Sequence, residues 1–171
     1  MSTARFIGVA ITAIMIAGHG SALAQQAAPP PAADSGVIRV KSTYGMDDTL
    51  VRIKKDIAAK GVRFFDEIDQ AQLAASAGIK LQPSVLLMFG NPPLGIQFLT
   101  ANPYAGLDWP VRMLVFQDAA GQVWIAYSDF AYIANRYHIT DRPAQFKMAS
   151  EVAASIASSA QSKPMPQPQK P

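Results

Sequence analysis

The chain has 171 residues, half of them hydrophobic and 16% charged, with 15 Lys and Arg against 12 Asp and Glu and no cysteine. The missing thiols remove disulfides, thiolate metal sites and thiol catalysis from consideration. The pI is near 9.3, yet Arg5, Lys163 and Lys170 lie in the two ends, so the folded part is close to neutral and lacks the clustered basic face that a nucleic-acid binder needs to neutralise phosphates.

Arg5 is the only charged side chain ahead of an apolar run from Phe6 to Ala17, the arrangement of an export signal. The run falls short of the roughly 20 apolar residues that span a bilayer. Small residues follow it: Gly18, Gly20 and the triplet Ala22-Leu23-Ala24. Residues 1–24 are therefore expected to be a signal peptide cut between Ala24 and Gln25, leaving a periplasmic or secreted protein with no membrane span. No cysteine stands at the cut to take a lipid. The 147 residues that remain suit one domain with one core. Residues 25–36, rich in Ala and Pro, are expected as a linker. Residues 161–171, where Pro alternates with Gln and Lys, are expected as a disordered tail, because neither end buries enough apolar area to offset the entropy of ordering.

Between these ends, within 37–160, Val37 to Thr43 alternates apolar and polar residues and predicts a first strand. After a turn at Tyr44 to Asp47, the residues Leu50, Ile53 and Ile57 draw one apolar stripe along a helix, with Asp47 or Asp48 as its N-cap and Gly61 as its stop. Val62 to Ile68 predicts a second strand and Gln70 to Ala77 a short helix ended by Gly78. Ser84 to Phe89 predicts a third strand, whose nearly continuous apolar character calls for cover on both faces. Gly90-Asn91-Pro92-Pro93 breaks that strand and opens a helix to about Ala101, and Asn102 to Trp109 reads as a loop. Pro110 to Gln117 and Gln122 to Ser128 form a hairpin closed by Asp118-Ala119-Ala120-Gly121. Asp129 caps a helix through Arg136, and Pro143 stands near the start of a last helix ending near Ala160. The expected fold is α+β, a small and mostly antiparallel sheet in a single domain with helices packed on one face.

The hairpin bears on assembly. If Val111, Met113, Val115, Val123, Ile125 and Tyr127 share one face, the other receives Leu114, Phe116, Trp124 and Ala126, which is too apolar for water. Either a homodimer or helices on both sides of the sheet would cover it.

Three blocks of sequence carry a resemblance: Leu86-Leu87-Met88-Phe89-Gly90-Asn91-Pro92, then Gly106-Leu107-Asp108-Trp109-Pro110-Val111-Arg112, then Asp118 to Tyr127. In order and spacing they resemble the domain-of-unknown-function family numbered 302, over most of Val37 to Ile139. The resemblance implies a compact α+β domain with a tendency to dimerise, and no established activity. Where the family usually shows Ile-Asp-His after the second strand, this chain has Ile68-Asp69-Gln70. Gln70 cannot supply an imidazole for metal binding or proton transfer.

Catalytic motifs are scarce. Past the signal, His138 is the single histidine, too few for the multi-imidazole sites of catalytic zinc. Asp66, Glu67 and Asp69 could offer oxygen ligands to a hard cation, but strand alternation sends Glu67 and Asp69 to one face and Asp66 to the other. Gly-x-Ser-x-Gly, P-loop and Gly-x-Gly-x-x-Gly patterns are all missing, and no cofactor is implied. What remains is a pair of polar loops, around Asn91 and around Asp108, each beside a strand end. Turn chemistry alone would explain both, since Asn tolerates unusual backbone angles and Asp caps nearby amides. The functional expectation is a non-catalytic exported module that binds a small molecule, an ion or a partner protein. Asn91 and Asp108 would hold polar groups of the ligand, Arg112 would supply positive charge, Tyr127 an aromatic wall, and Asp69 is a further candidate. Two other classes compete: a hydrolase- or isomerase-like enzyme with Asp69 or Asp108 as base and Arg112 stabilising an anion, and a purely structural homodimer.

Overall fold

The computed structural model describes residues 35–161. The expected signal peptide with its cut at Ala24 and Gln25, nearly all of the linker and all but the first residue of the tail lie outside the described residues. Five strands form one sheet: β1 (Val37–Lys41), β2 (Arg63–Asp69), β3 (Ser84–Gly90), β4 (Val111–Gln117) and β5 (Val123–Ser128). Their order across the sheet is β1-β5-β4-β3-β2 and every pairing is antiparallel. The helices are α1 (Met46–Ala59), α2 (Gln70–Ser76), α3 (Pro92–Ala101), α4 (Phe130–Arg136) and α5 (Pro143–Ser158), with a 3-10 turn at Pro103–Asp108.

Because β1 and β2 are consecutive in sequence but occupy opposite edges, α1 must carry the chain across the whole sheet. Its stripe of Leu50, Ile53 and Ile57 is buried there, as the spacing predicts. The expected hairpin forms, with Val115 opposite Ile125 and Phe116 opposite Trp124. Gly121 adopts φ +81°, the left-handed conformation that glycine takes without steric cost and that closes the turn.

One face of the sheet carries the core. Leu87, Phe89, Met113, Val115 and Ile125 are at most 1% exposed and meet Ile53 and Ile57 of α1 and Ile156 of α5. Ala149, Ala153 and Ala157 make the inward side of α5 small, so that it lies close to its neighbours, and Phe146 stacks on Phe98 of α3 at 4.3 Å between ring centroids. Each fully buried large side chain contributes roughly 1.5–3 kcal/mol of burial free energy. The buried hydroxyls are satisfied where β1, α1 and the end of α5 converge. Ser42 Oγ lies 2.7 Å from Thr49 Oγ1, accepts from the Tyr44 amide at 3.1 Å and faces the Ala160 carbonyl at 3.2 Å.

Three local expectations are corrected. Neither Asp47 nor Asp48 caps α1: the helix begins earlier, its N-cap is Gly45, and both carboxylates sit in the first turn, where they favour the positive end of the helix dipole instead. The segment from Asn102 to Trp109 is largely a 3-10 turn, started by the Asn102 side chain accepting from the Tyr104 amide at 3.0 Å. The third strand is covered on one face only. Val85, Leu87 and Phe89 are buried, while Leu86 and Met88 stay half-buried on the opposite side beside Leu114, Phe116, Trp124 and Ala126, and none of these six joins the core cluster. The apolar run of β3 therefore continues a half-exposed strip across the sheet.

Candidate functional site

At the end of the sheet where β3 runs out and β4 begins, the core opens into a cavity of about 300 Å³. It is lined by Phe89 of β3, Leu94 and Phe98 of α3, Met148 and Val152 of α5, and by Lys60, Asn91 and Trp109. Such a volume is at the lower end of the roughly 300–1,000 Å³ typical of small-molecule sites, and the mix of apolar walls with a few polar groups is also typical.

Two glycines make room for Trp109. The indole lies against the backbone of α3 at Gly95, where any Cβ would overlap Nε1, Cε2 and Cδ1, and a Cβ at Gly90 would stand 3.0 Å from Nε1. Phe65 meets the indole edge-on with centroids 5.7 Å apart. Trp109 is followed by a cis peptide bond to Pro110. The sequence reading meets Trp109 as the end of a loop and in a block of the family resemblance, without a site role, and Gly95 not at all. A glycine inside a helix was the available signal, since it is less favourable than alanine by about 1 kcal/mol and calls for a close approach.

The residue before Trp109 is fully engaged. Asp108 has a side chain only 6% exposed. Its Oδ1 accepts from Arg112 at 2.8 Å, and its Oδ2 accepts from Tyr137 Oη at 2.6 Å and from Arg136 at 3.2 Å. The Tyr137 hydroxyl is pushed above its ordinary pKa of 10.0, first because ionisation would lose the bond to the Asp108 carboxylate and then because the ring is desolvated. This network ties the loop in front of Trp109 to the end of α4 and to β4. Arg136 and Tyr137 escape the sequence reading because the partners are 28 and 29 residues from Asp108.

The five residues singled out from the sequence do not converge. Asn91 lines the cavity and is also the N-cap of α3, its Oδ1 accepting from the Leu94 amide at 3.3 Å. Asp108 and Arg112 pair with each other. Tyr127 points to the core face of β5 and is 5% exposed, with its hydroxyl pKa raised by burial and then by Asp129. Asp69 pairs with Val85 at the start of β3, the opposite end from Asn91, and caps α2 by accepting from the Gln72 amide at 2.9 Å. Tyr127 and Asp69 are not among the cavity-lining residues. Register places Glu67 and Asp69 opposite the core-facing Leu87 and Val85, and Asp66 opposite Met88, the split that strand alternation requires.

A family model for the domain of unknown function DUF302 matches residues 38–162. The chain belongs to the DUF302 family. The match takes in α5, beyond the three sequence blocks that carry the resemblance. The fold agrees with the crystal structure of an uncharacterized conserved protein DUF302 from Bacillus stearothermophilus, with a TM-score of 0.68 and 16% identity over 74% of this chain and 98% of that one. A protein of Brucella suis biovar 1 (strain 1330) named fluoride-specific ion channel FluC 1 is 34% identical over 133 residues, 77% of this chain and 52% of its own length. Fluoride-specific ion channel FluC 2 of Brucella melitensis biotype 1 is likewise 34% identical over 133 residues, 77% of this chain and 49% of its own. The chain spans about half the length of the curated relatives it matches.

In this DUF302 domain Gln70, which stands where the family usually shows histidine, has a structural partner: its Oε1 accepts from Ser84 Oγ at 2.8 Å. That bond joins the start of α2 to the start of β3. His138 is exposed and takes φ 52° just beyond α4. Among the described residues no group of three or more His, Cys, Asp or Glu could hold a metal ion.

Proposed function

We propose that this DUF302 domain is a non-catalytic binding module whose ligand, a small and largely apolar molecule, enters the cavity between α3, α5 and Trp109. The observation that carries the reading is the cavity itself: largely apolar walls, with an indole, a carboxamide and one ammonium among the lining side chains. Asn91 lines the mouth, while Asp108 and Arg112 hold the loop that presents Trp109. The carboxylate acid–base alternative has less support, because both Asp108 oxygens are occupied by Arg112, Arg136 and Tyr137 and Asp69 is engaged as a helix cap.

The Brucella relatives named as fluoride-specific ion channels carry about as much chain again outside the match. Among the residues described here no helix is long and apolar enough to cross a membrane. We read the domain as a part that binds rather than spans, working outside the cytoplasm on the strength of the segment from Arg5 to Ala24. N-terminal sequencing of the exported product checks that placement, and any start other than Gln25 corrects the cut.

A test of the cavity uses the Trp124→Phe chain, in which Trp109 is the only tryptophan. Titration with 1-octanol should change its emission saturably, and Gly95→Ala should abolish the change. A linear, unsaturating response would remove the cavity as a binding site.

A second reading, self-association, rests on a different observation. Leu86, Leu114, Phe116 and Trp124 form a half-exposed strip on the face away from the helices. Arg39 lies 3.6 Å over the Trp124 ring, with Asp118 accepting from Trp124 Nε1 at 2.8 Å. A second copy laid face to face covers this strip with the same strip, the self-complementary arrangement of a two-fold dimer.

A further inference from the structure

The polar side chains that line the cavity are Lys60, Asn91 and Trp109, and no carboxylate is among them. Asn91 Oδ1 accepts from the Leu94 amide at 3.3 Å, and its NH2 group has no acceptor among the described residues. Trp109 Nε1 packs against the backbone at Gly95 and Gly90. Lys60 also lines the cavity; its ammonium is held by Asp56, and an ammonium has three N–H groups. Apart from Lys60, Asn91 and Trp109, the side chains that line the cavity are apolar.

We infer, resting on the reading of this cavity as the binding site, that its ligand is a single-chain amphiphile with an anionic head, of which a carboxylate is the simplest. The tail fills the space between Phe98, Leu94 and Val152. The head sits beside Lys60 and Asn91, where a carboxylate accepts from the remaining ammonium N–H groups and from the carboxamide. An ammonium head would find no carboxylate among the lining side chains to pair with. At about 300 Å³ the cavity suits one chain of modest length.

The experiment is isothermal titration of the mature chain at neutral pH with three eight-carbon probes: octanoate, octylammonium and 1-octanol. Octanoate should bind about tenfold more tightly than octylammonium, equivalent to one good charge-assisted contact. Lys60→Gln, a change at an exposed position just past α1, should remove most of that preference by weakening octanoate more than 1-octanol. Equal affinity for the three probes, or tighter binding of octylammonium, overturns the anionic head and leaves the cavity reading standing, while an octanoate preference that survives Lys60→Gln overturns the placement of the head at Lys60. Failure of all three to bind overturns both.

Discussion

Trp109 sits on Gly95: the indole occupies the space that any side chain at that helix position would need. The contact joins the loop after the 3-10 turn to α3 and fixes one wall of the cavity. Gly95→Ala therefore sets two effects against each other. In an open helix site the change would stabilise by about 1 kcal/mol through helix propensity. Here the methyl must displace the indole, so the expected outcome is a net loss of stability and a shifted Trp109 emission, read by denaturant titration in the Trp124→Phe background. A variant more stable than its parent would show that the close packing is wrong.

Asp108 should matter for stability more than its loop position suggests. Its carboxylate is nearly buried and takes bonds from two guanidinium groups and a phenol. Asp108→Ala removes charge-assisted bonds of the kind that contribute 1.5–3 kcal/mol, discounted because both arginines are about half exposed and can rehydrate. The expected cost is about 2 kcal/mol by urea unfolding. A change within experimental error would mean that the network holds nothing in place.

The strength of that tie to the loop also decides a pH effect at the alkaline end. The Tyr137 pKa is raised in the folded chain, so its contribution is present in full below the ordinary value of 10.0 and is lost as pH rises through the folded value. The difference in stability between the parent and Tyr137→Phe should be constant around neutrality and shrink above pH 10. A difference that grows with alkalinity contradicts the assignment.

On the opposite face the sign reverses. Asp118 has its pKa lowered, chiefly by the bond from Trp124 Nε1, with further help from the Gln122 and Ala120 amides and Arg39 against a desolvation cost. A depressed carboxylate contributes stability above its unfolded pKa, near 3.8, and loses it as pH falls through the folded value. Asp118→Asn should therefore be destabilised relative to the parent at pH 7 and should converge with it in strong acid. Parallel pH profiles would count against this origin of the shift.

Much of the fold was legible before the structure, and the reason is local. The stripe of Leu50, Ile53 and Ile57, the Asp118 to Gly121 turn and the Asn91 and Asp129 caps are each written within a few residues. The strand order is not, since nothing in α1 itself says that it crosses the entire sheet. The candidate site was half legible for the same reason. Asn91 and Asp108 stand out as polar residues at strand ends. Their environments depend on Tyr137, Arg136 and α5, all distant in sequence, and the apolar cavity is made by residues that read individually as ordinary core.

The half-exposed strip predicts an assembly. Trp124→Glu or Phe116→Lys should turn a dimer into a monomer in sedimentation velocity without loss of secondary structure, because both side chains lie outside the core cluster. A parent chain that sediments as one copy at all accessible concentrations removes the self-association reading.

The central claim is that the cavity under Trp109 is a binding site, and the most direct test is a set of intermolecular nuclear Overhauser effects from 1-octanol to the mature protein. Contacts from the octyl chain to Leu94, Phe98 and Val152 are expected, and they should disappear in Gly95→Ala. Contacts confined to Trp124 and Phe116 on the other face, or none at saturating ligand, would contradict it.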